Sequence, residues 1–170
     1  RECISMSIDQ QLEVKLQELQ LDILKEQMGR LIGTGGKTIQ NIQQQFPKCK
    51  IQTQPKDEQV SKVTKEEFKF VTVTLTGNFQ DVFRMAKMVD DVVDVCLAVL
   101  ISTISSKAFQ SRIRDLQAIQ RTVQDEVSGL DTVNLDTRSK PPRLTFEGYL
   151  EDVTKAFEKL LAEAERYSQS

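Results

Sequence analysis

Four of the chain's seven glycines fall in one short run, Gly29-Arg30-Leu31-Ile32-Gly33-Thr34-Gly35-Gly36-Lys37. Glycine has no Cβ and enters φ > 0 at little cost, so backbone N–H groups around Gly33 and Gly36 can close on an anion that any other residue would hold at a distance. The run is followed by a helical pattern. A helix beginning near Lys37 would add unpaired N–H groups and the positive end of its dipole, and Arg30 and Lys37 would add formal charge. This is phosphate-gripping chemistry, and the competing use of the same glycines is a purely structural turn.

Other chemistries have few residues to work with. The sequence has no histidine, which removes Ser-His-Asp and Cys-His catalysis and imidazole-ligated metals. Cys3, Cys49 and Cys96 are odd in number and lack metal or disulfide spacing, so a reducing compartment is expected, with the cytoplasm the first choice and the nucleus the second. Asp90, Asp91 and Asp94 do not converge with other ligands and read as a solvated helix end. No enzyme, cofactor or metal is expected. A formal charge of −2 and a pI near 5.4 mean that any nucleic-acid site must be local. No apolar run reaches the roughly 20 residues a membrane span needs. The start at Arg1, without an initiator Met or a leader pattern, fits a piece of a longer protein.

The elements around the glycines follow from periodicity. Leu19, Leu21 and Ile23 alternate with polar residues, predicting a half-buried strand, and 25–31 reads as a short helical turn. Ile39, Ile42 and Phe46 mark one face of a helix that Pro47 ends. A short strand around Cys49 and Ile51, a polar loop over 54–67, a strand on Val71, Val73 and Leu75, and a helix on Val82, Ala86, Val89 and Val93 complete the order strand, helix, helix, strand, strand, helix. Ahead of this, 3–8 alternates like a strand and 9–18 reads as a short helix.

The second half repeats the first. Ile39-Gln40-Asn41-Ile42-Gln43 is matched by Leu116-Gln117-Ala118-Ile119-Gln120, and Leu75-Thr76-Gly77 with Asp81-Val82 by Phe146-Glu147-Gly148 with Asp152-Val153. The long polar loop shrinks to Arg138-Ser139-Lys140-Pro141-Pro142, the kind of place where repeats diverge. Residues 88–100 contain no Gly, Pro or Ser, so one copy runs into the next without a flexible linker.

Met28-Gly29-Arg30-Leu31-Ile32-Gly33-Thr34-Gly35-Gly36-Lys37-Thr38-Ile39, set between two short helices after an alternating strand, resembles the signature of the eukaryotic (type I) K-homology, or KH, domain. The resemblance covers about 16–91, and 92–167 resembles the same fold with Gln110-Ser111-Arg112-Ile113 where the glycine loop should be. Arrays that mix intact and degenerate modules resemble vigilin and the Bicaudal-C group. The fold class implied is α+β: two tandem β-α-α-β-β-α modules, each a three-stranded antiparallel sheet with three helices on one face. The implied domains are an arm at 1–14, in one reading the tail of a preceding module, a KH domain at 15–91 and a degenerate KH domain at 92–170.

The function this resemblance implies is binding of single-stranded RNA, with single-stranded DNA as the second choice, in a post-transcriptional role. KH modules clamp about four nucleotides with the glycine loop and lay the bases in an apolar groove. Carried onto this sequence, the binding residues are Gly29, Arg30, Ile32, Gly33, Thr34, Gly35, Gly36, Lys37, Lys50 and Gln52, with Ile42 also beside the groove although it, like Ile39 and Phe46, reads as core before base contact. Thr34 and Gly35 stand where family members often carry a basic residue, so modest affinity is expected, on the order of micromolar. Arg112 and Arg114 of the second copy read as solvated. That copy would be structural or would bind a protein partner. The rival reading is a protein-interaction scaffold that binds no nucleic acid, encouraged by the acidic pI and the lost second loop.

Overall fold

The computed structural model describes residues 12–53, 70–106 and 112–168. They fall into two units, Leu16–Val99 and Leu100–Ser170 joined by the residues up to Lys15.

The unit 16–99 is built on three antiparallel strands in the order β2 (Lys50–Thr53), β3 (Phe70–Thr76), β1 (Glu13–Leu24, from Leu16 on). Pairing sets Leu19 opposite Leu75, Leu21 opposite Val73 and Ile23 opposite Val71. Because successive strand side chains point to opposite faces, these six apolar residues lie on one side of the sheet, and all are buried. The helices α1 (Met28–Ile32), α2 (Lys37–Gln45) and α3 (Phe79–Val92) close the core over that side. They contribute Met28, Leu31, Ile42, Val82, Met85, Ala86 and Val89. Each of these side chains other than Ala86 stabilises by about 1.5–3 kcal/mol on burial. Asn78 caps α3, its side-chain oxygen accepting from the Asp81 N–H at 2.9 Å.

In the other unit the order is β4 (Val95–Ser105, from Leu100 on), β6 (Arg143–Gly148), β5 (Leu130–Asp136), so its last strand in sequence is also central. Leu144 and Phe146 of β6, Leu116, Ile119 and Val123 of α4 (Ile113–Glu126), and Val153, Phe157 and Leu160 of α5 (Leu150–Ser168) are all buried and make up this unit's core. The buried Ser102 hydroxyl donates to the Leu144 carbonyl at 2.7 Å, as an enclosed polar group must. Gln110 and Ser111 of the degenerate loop and the residues 107–109 before them lie outside the described residues, as do the strand expected at 3–8 and the polar loop at 54–67.

One local expectation is overturned. The helix read over 9–18 is strand from Glu13 onward. Half-buried Val14 and Leu16 alternate at period 2 with exposed Glu13, Lys15 and Gln17, out of phase with the stripe Leu19, Leu21, Ile23, and β1 extends through them rather than starting at Leu19.

Candidate functional site

Helix α1 stops because Gly33 sits at φ 76°, ψ 176°, a region essentially closed to other residues. Gly35 (φ 62°) and Gly36 (φ 80°) are also left-handed, so the chain turns from α1 into α2 within four residues. Internal bonds hold the turn: the Gly33 N–H donates to the Gly29 carbonyl at 2.9 Å and the Gly36 N–H to the Gly33 carbonyl at 3.2 Å. A Cβ on Gly33 would run into the Thr38 side chain and lie 2.9 Å from its backbone nitrogen. Thr34 and Gly35 are exposed at the tip.

Several neighbours of this loop are exposed, although Leu31 among them is buried. Gly29, Arg30 and Lys37 are exposed, and Ile32, a large apolar side chain, is 40% exposed. A Cβ on Gly29 would meet nothing within 4 Å. Internal packing therefore does not explain a glycine in α1, where it costs roughly 1 kcal/mol relative to alanine. Beyond the loop, Gln40 approaches Gly36, its Nε2 standing 3.6 Å from where a Cβ would be. Gln40 also lines an open groove of about 360 Å³ with Ile39, Gln43, Gln44 and Ile51. The groove thus begins beside the loop and runs between α2 and β2.

Gln43 sets that groove's shape. Its Nε2 donates to the carbonyls of Cys49 at 2.6 Å and Phe46 at 3.2 Å, and its Oε1 accepts from the Ile51 N–H at 3.1 Å. One amide therefore ties α2 to β2 through both its ends. Below this tie Cys49 is buried, and burial first, then the nearby Asp81 carboxylate, pushes its thiol pKa up, which leaves it a neutral packing residue.

Two sequence assignments move. Lys50 and Gln52 are exposed and pair with Thr76 and Thr74, whereas Ile51 pairs with the buried Leu75. By strand alternation the side chains of Lys50 and Gln52 lie on the sheet face away from α2, and Ile51 is the β2 side chain at the groove. Ile42 is only 2% exposed and belongs to the core. Sequence reading missed Gln40, Gln43 and Gln44 as groove residues; the signal was a cluster of amides on one helix beside the glycine loop.

In the second unit, at the place of the loop, Arg112 is not solvated. Its side chain is 11% exposed, with Nε on Asp115 at 2.5 Å and a guanidinium nitrogen donating to the Tyr167 carbonyl at 2.8 Å. Arg114 is exposed. The aspartates at the end of α3 also have structural partners: Asp90 accepts from the Val95 N–H at 3.3 Å, and Asp94 and Gln27 exchange two hydrogen bonds at 2.7 and 3.2 Å. Among the described residues no cluster of Cys, Asp and Glu is arranged to hold a metal, and no helix is long and apolar enough to cross a membrane.

No match is found among curated proteins. Among solved structures, the chain superposes on an aspartate kinase of Clostridium acetobutylicum with a TM-score of 0.32 at 10% identity, over 91% of this chain and 34% of that one, so it spans about a third of that protein's length. A putative C-terminal regulatory domain of aspartate kinase from Porphyromonas gingivalis gives 0.27 at 14% identity, covering 89% and 94%. The a/eIF2alpha-aDim2p-rRNA complex of Pyrococcus horikoshii gives 0.27 at 16% identity, covering 90% and 92%. Superpositions this loose carry no argument. The family comparison is specific: a single KH domain, of a family that binds RNA or single-stranded DNA, is detected over residues 18–91, from within β1 through the glycine loop to the end of α3.

Proposed function

We propose that this protein binds single-stranded RNA through the unit 16–99, with the loop Gly33-Thr34-Gly35-Gly36 clamping the sugar-phosphate strand. The observation that carries the reading is the loop itself: three positive-φ glycines, two of its four residues exposed, at the start of a helix. Backbone of that kind can reach a phosphate, and α2 adds the positive end of its dipole and the first-turn N–H groups beyond Lys37, whose own N–H donates to the Thr34 carbonyl. Arg30 and Lys37 flank the strand's path, Ile32 offers an apolar face to a base, and Gly29 leaves room where a side chain would intrude. Bases pass from there into the groove between α2 and Ile51. With no basic side chain at positions 34 and 35, affinity on the order of micromolar is expected, about −8 kcal/mol.

The second unit repeats the strand order of the first, and we read it as a degenerate KH module in tandem, of the kind seen in vigilin and Bicaudal-C arrays. The engagement of Arg112 by Asp115 and Tyr167 supports a structural or protein-binding role for it, since a guanidinium so employed is not offered to phosphate.

The test places two carboxylates at the clamp. Thr34→Asp with Gly35→Asp should weaken binding to single-stranded RNA at least tenfold in low salt relative to Thr34→Asn with Gly35→Asn, a neutral pair that tolerates the left-handed backbone equally well. Circular dichroism of both variants controls for folding. Equal affinities would leave the interaction scaffold as the better reading, and tighter binding of single-stranded DNA than of RNA would change the target.

A further inference from the structure

Resting on the RNA-binding reading above, the geometry points to adenine as the base this groove selects, read by the side-chain amides of Gln40 and Gln44. The lining is Ile39 and Ile51 for apolar contact and three glutamines for hydrogen bonds, with no charged side chain among them. That composition is discriminating. On the open edges of a single strand a primary amide donates to a ring nitrogen while accepting from the adjacent exocyclic amino group, a pattern cytosine offers on one edge and adenine on two, whereas guanine's paired O6 and N7 acceptors are met best by Arg or Lys.

The three amides have different jobs. Gln43 spends its oxygen on the Ile51 N–H and its nitrogen on the carbonyls of Phe46 and Cys49, so it is a positioning residue. It also removes the Ile51 N–H from the donors a base could use. Gln40 and Gln44 are exposed, and among the described residues neither side chain has a hydrogen-bond partner. Four residues apart on α2, they lie one above the other on the same helix face. Gln40 is the one beside Gly36, which places it where the strand leaves the clamp. Adenine presents an adjacent donor and acceptor on two of its edges, through N6 with N1 and N6 with N7, so a base laid on Ile39 and Ile51 meets an amide in either orientation. Its two-ring face also covers more of that apolar floor than a pyrimidine does.

The test uses the full chain and four single-stranded RNAs of one length, each with A, C, G or U at four central positions in a common uracil frame, followed by fluorescence anisotropy. The adenine RNA should bind about tenfold more tightly than the others. Gln40→Met with Gln44→Met, which keeps side-chain length and helix propensity, should level the four affinities. Four equal affinities in the unaltered chain, a preference for another base, or an adenine preference that survives in the methionine variant would each overturn the inference while leaving RNA binding intact. Failure of all four RNAs to bind in low salt would instead remove the RNA-binding reading, and the adenine inference with it.

Discussion

Two glycines close to the loop make opposite predictions, and the contrast separates folding from function. Gly33 occupies a backbone region essentially reserved for glycine, and its missing Cβ is where Thr38 packs. Gly33→Ala should therefore destabilise the protein by about 1–3 kcal/mol or more, read as a lower urea midpoint. Gly29 has ordinary helical surroundings and open space. Gly29→Ala should leave stability unchanged or raise it by up to about 1 kcal/mol, while weakening RNA binding by crowding the strand's path. A loss of stability in Gly29→Ala, or unchanged affinity, would show that this glycine is not kept clear for a ligand.

At the scale of elements, the groove depends on the distance between α2 and β2, and Gln43 fixes it. Gln43→Met keeps the length of the side chain but strands the Ile51 N–H and the Cys49 carbonyl, while the Phe46 carbonyl keeps its bond from the Cys49 N–H at 2.9 Å, so a loss of about 1–3 kcal/mol is expected in chemical unfolding, together with faster hydrogen exchange at Ile51. Periodicity made most of these elements legible. The stripe Leu19, Leu21, Ile23 marks the buried face of β1, and Val82, Ala86 and Val89 that of α3. What periodicity does not carry is which partner a polar side chain finds. Lys50 and Gln52 look as available as Ile51 until pairing with β3 assigns them the far face, and Gln43 looks like one amide among several until the turn after α2 brings Cys49 and Ile51 to it. Arg112 reads as an exposed turn residue for the same reason, because Tyr167 lies 55 positions away in sequence. The segment 13–18 fits helix and strand patterns alike, and only extension of β1 decides between them.

For the whole molecule, a charge of −2 is the constraint any nucleic-acid binder of this sequence must meet. Binding must come from a few cations acting locally, so its salt dependence should be shallow. With Arg30 and Lys37 as the two neutralising side chains, the slope of log K against log salt should be about −1.4 for a single strand. Proton linkage should be as quiet. The chain has no histidine, and burial pushes the Cys49 and Cys96 thiols above an ordinary value of 9.0. Lys155 and Lys159 are raised by hydrogen bonds to Glu151 and Glu126, so the stability they contribute is lost only as pH climbs through those raised values. Asp136 is lowered by the Ser139 hydroxyl, and its contribution, present above the ordinary carboxylate value, is lost only as pH falls through the lowered one. None of these windows touches neutrality, so affinity measured at fixed salt should stay flat between about pH 6 and pH 8. A steep salt slope would mean that many more phosphates are neutralised than Arg30 and Lys37 can reach, and a midpoint near neutral pH would require a titrating group other than these. Either result would place the contact with RNA somewhere other than the loop at Gly33–Gly36.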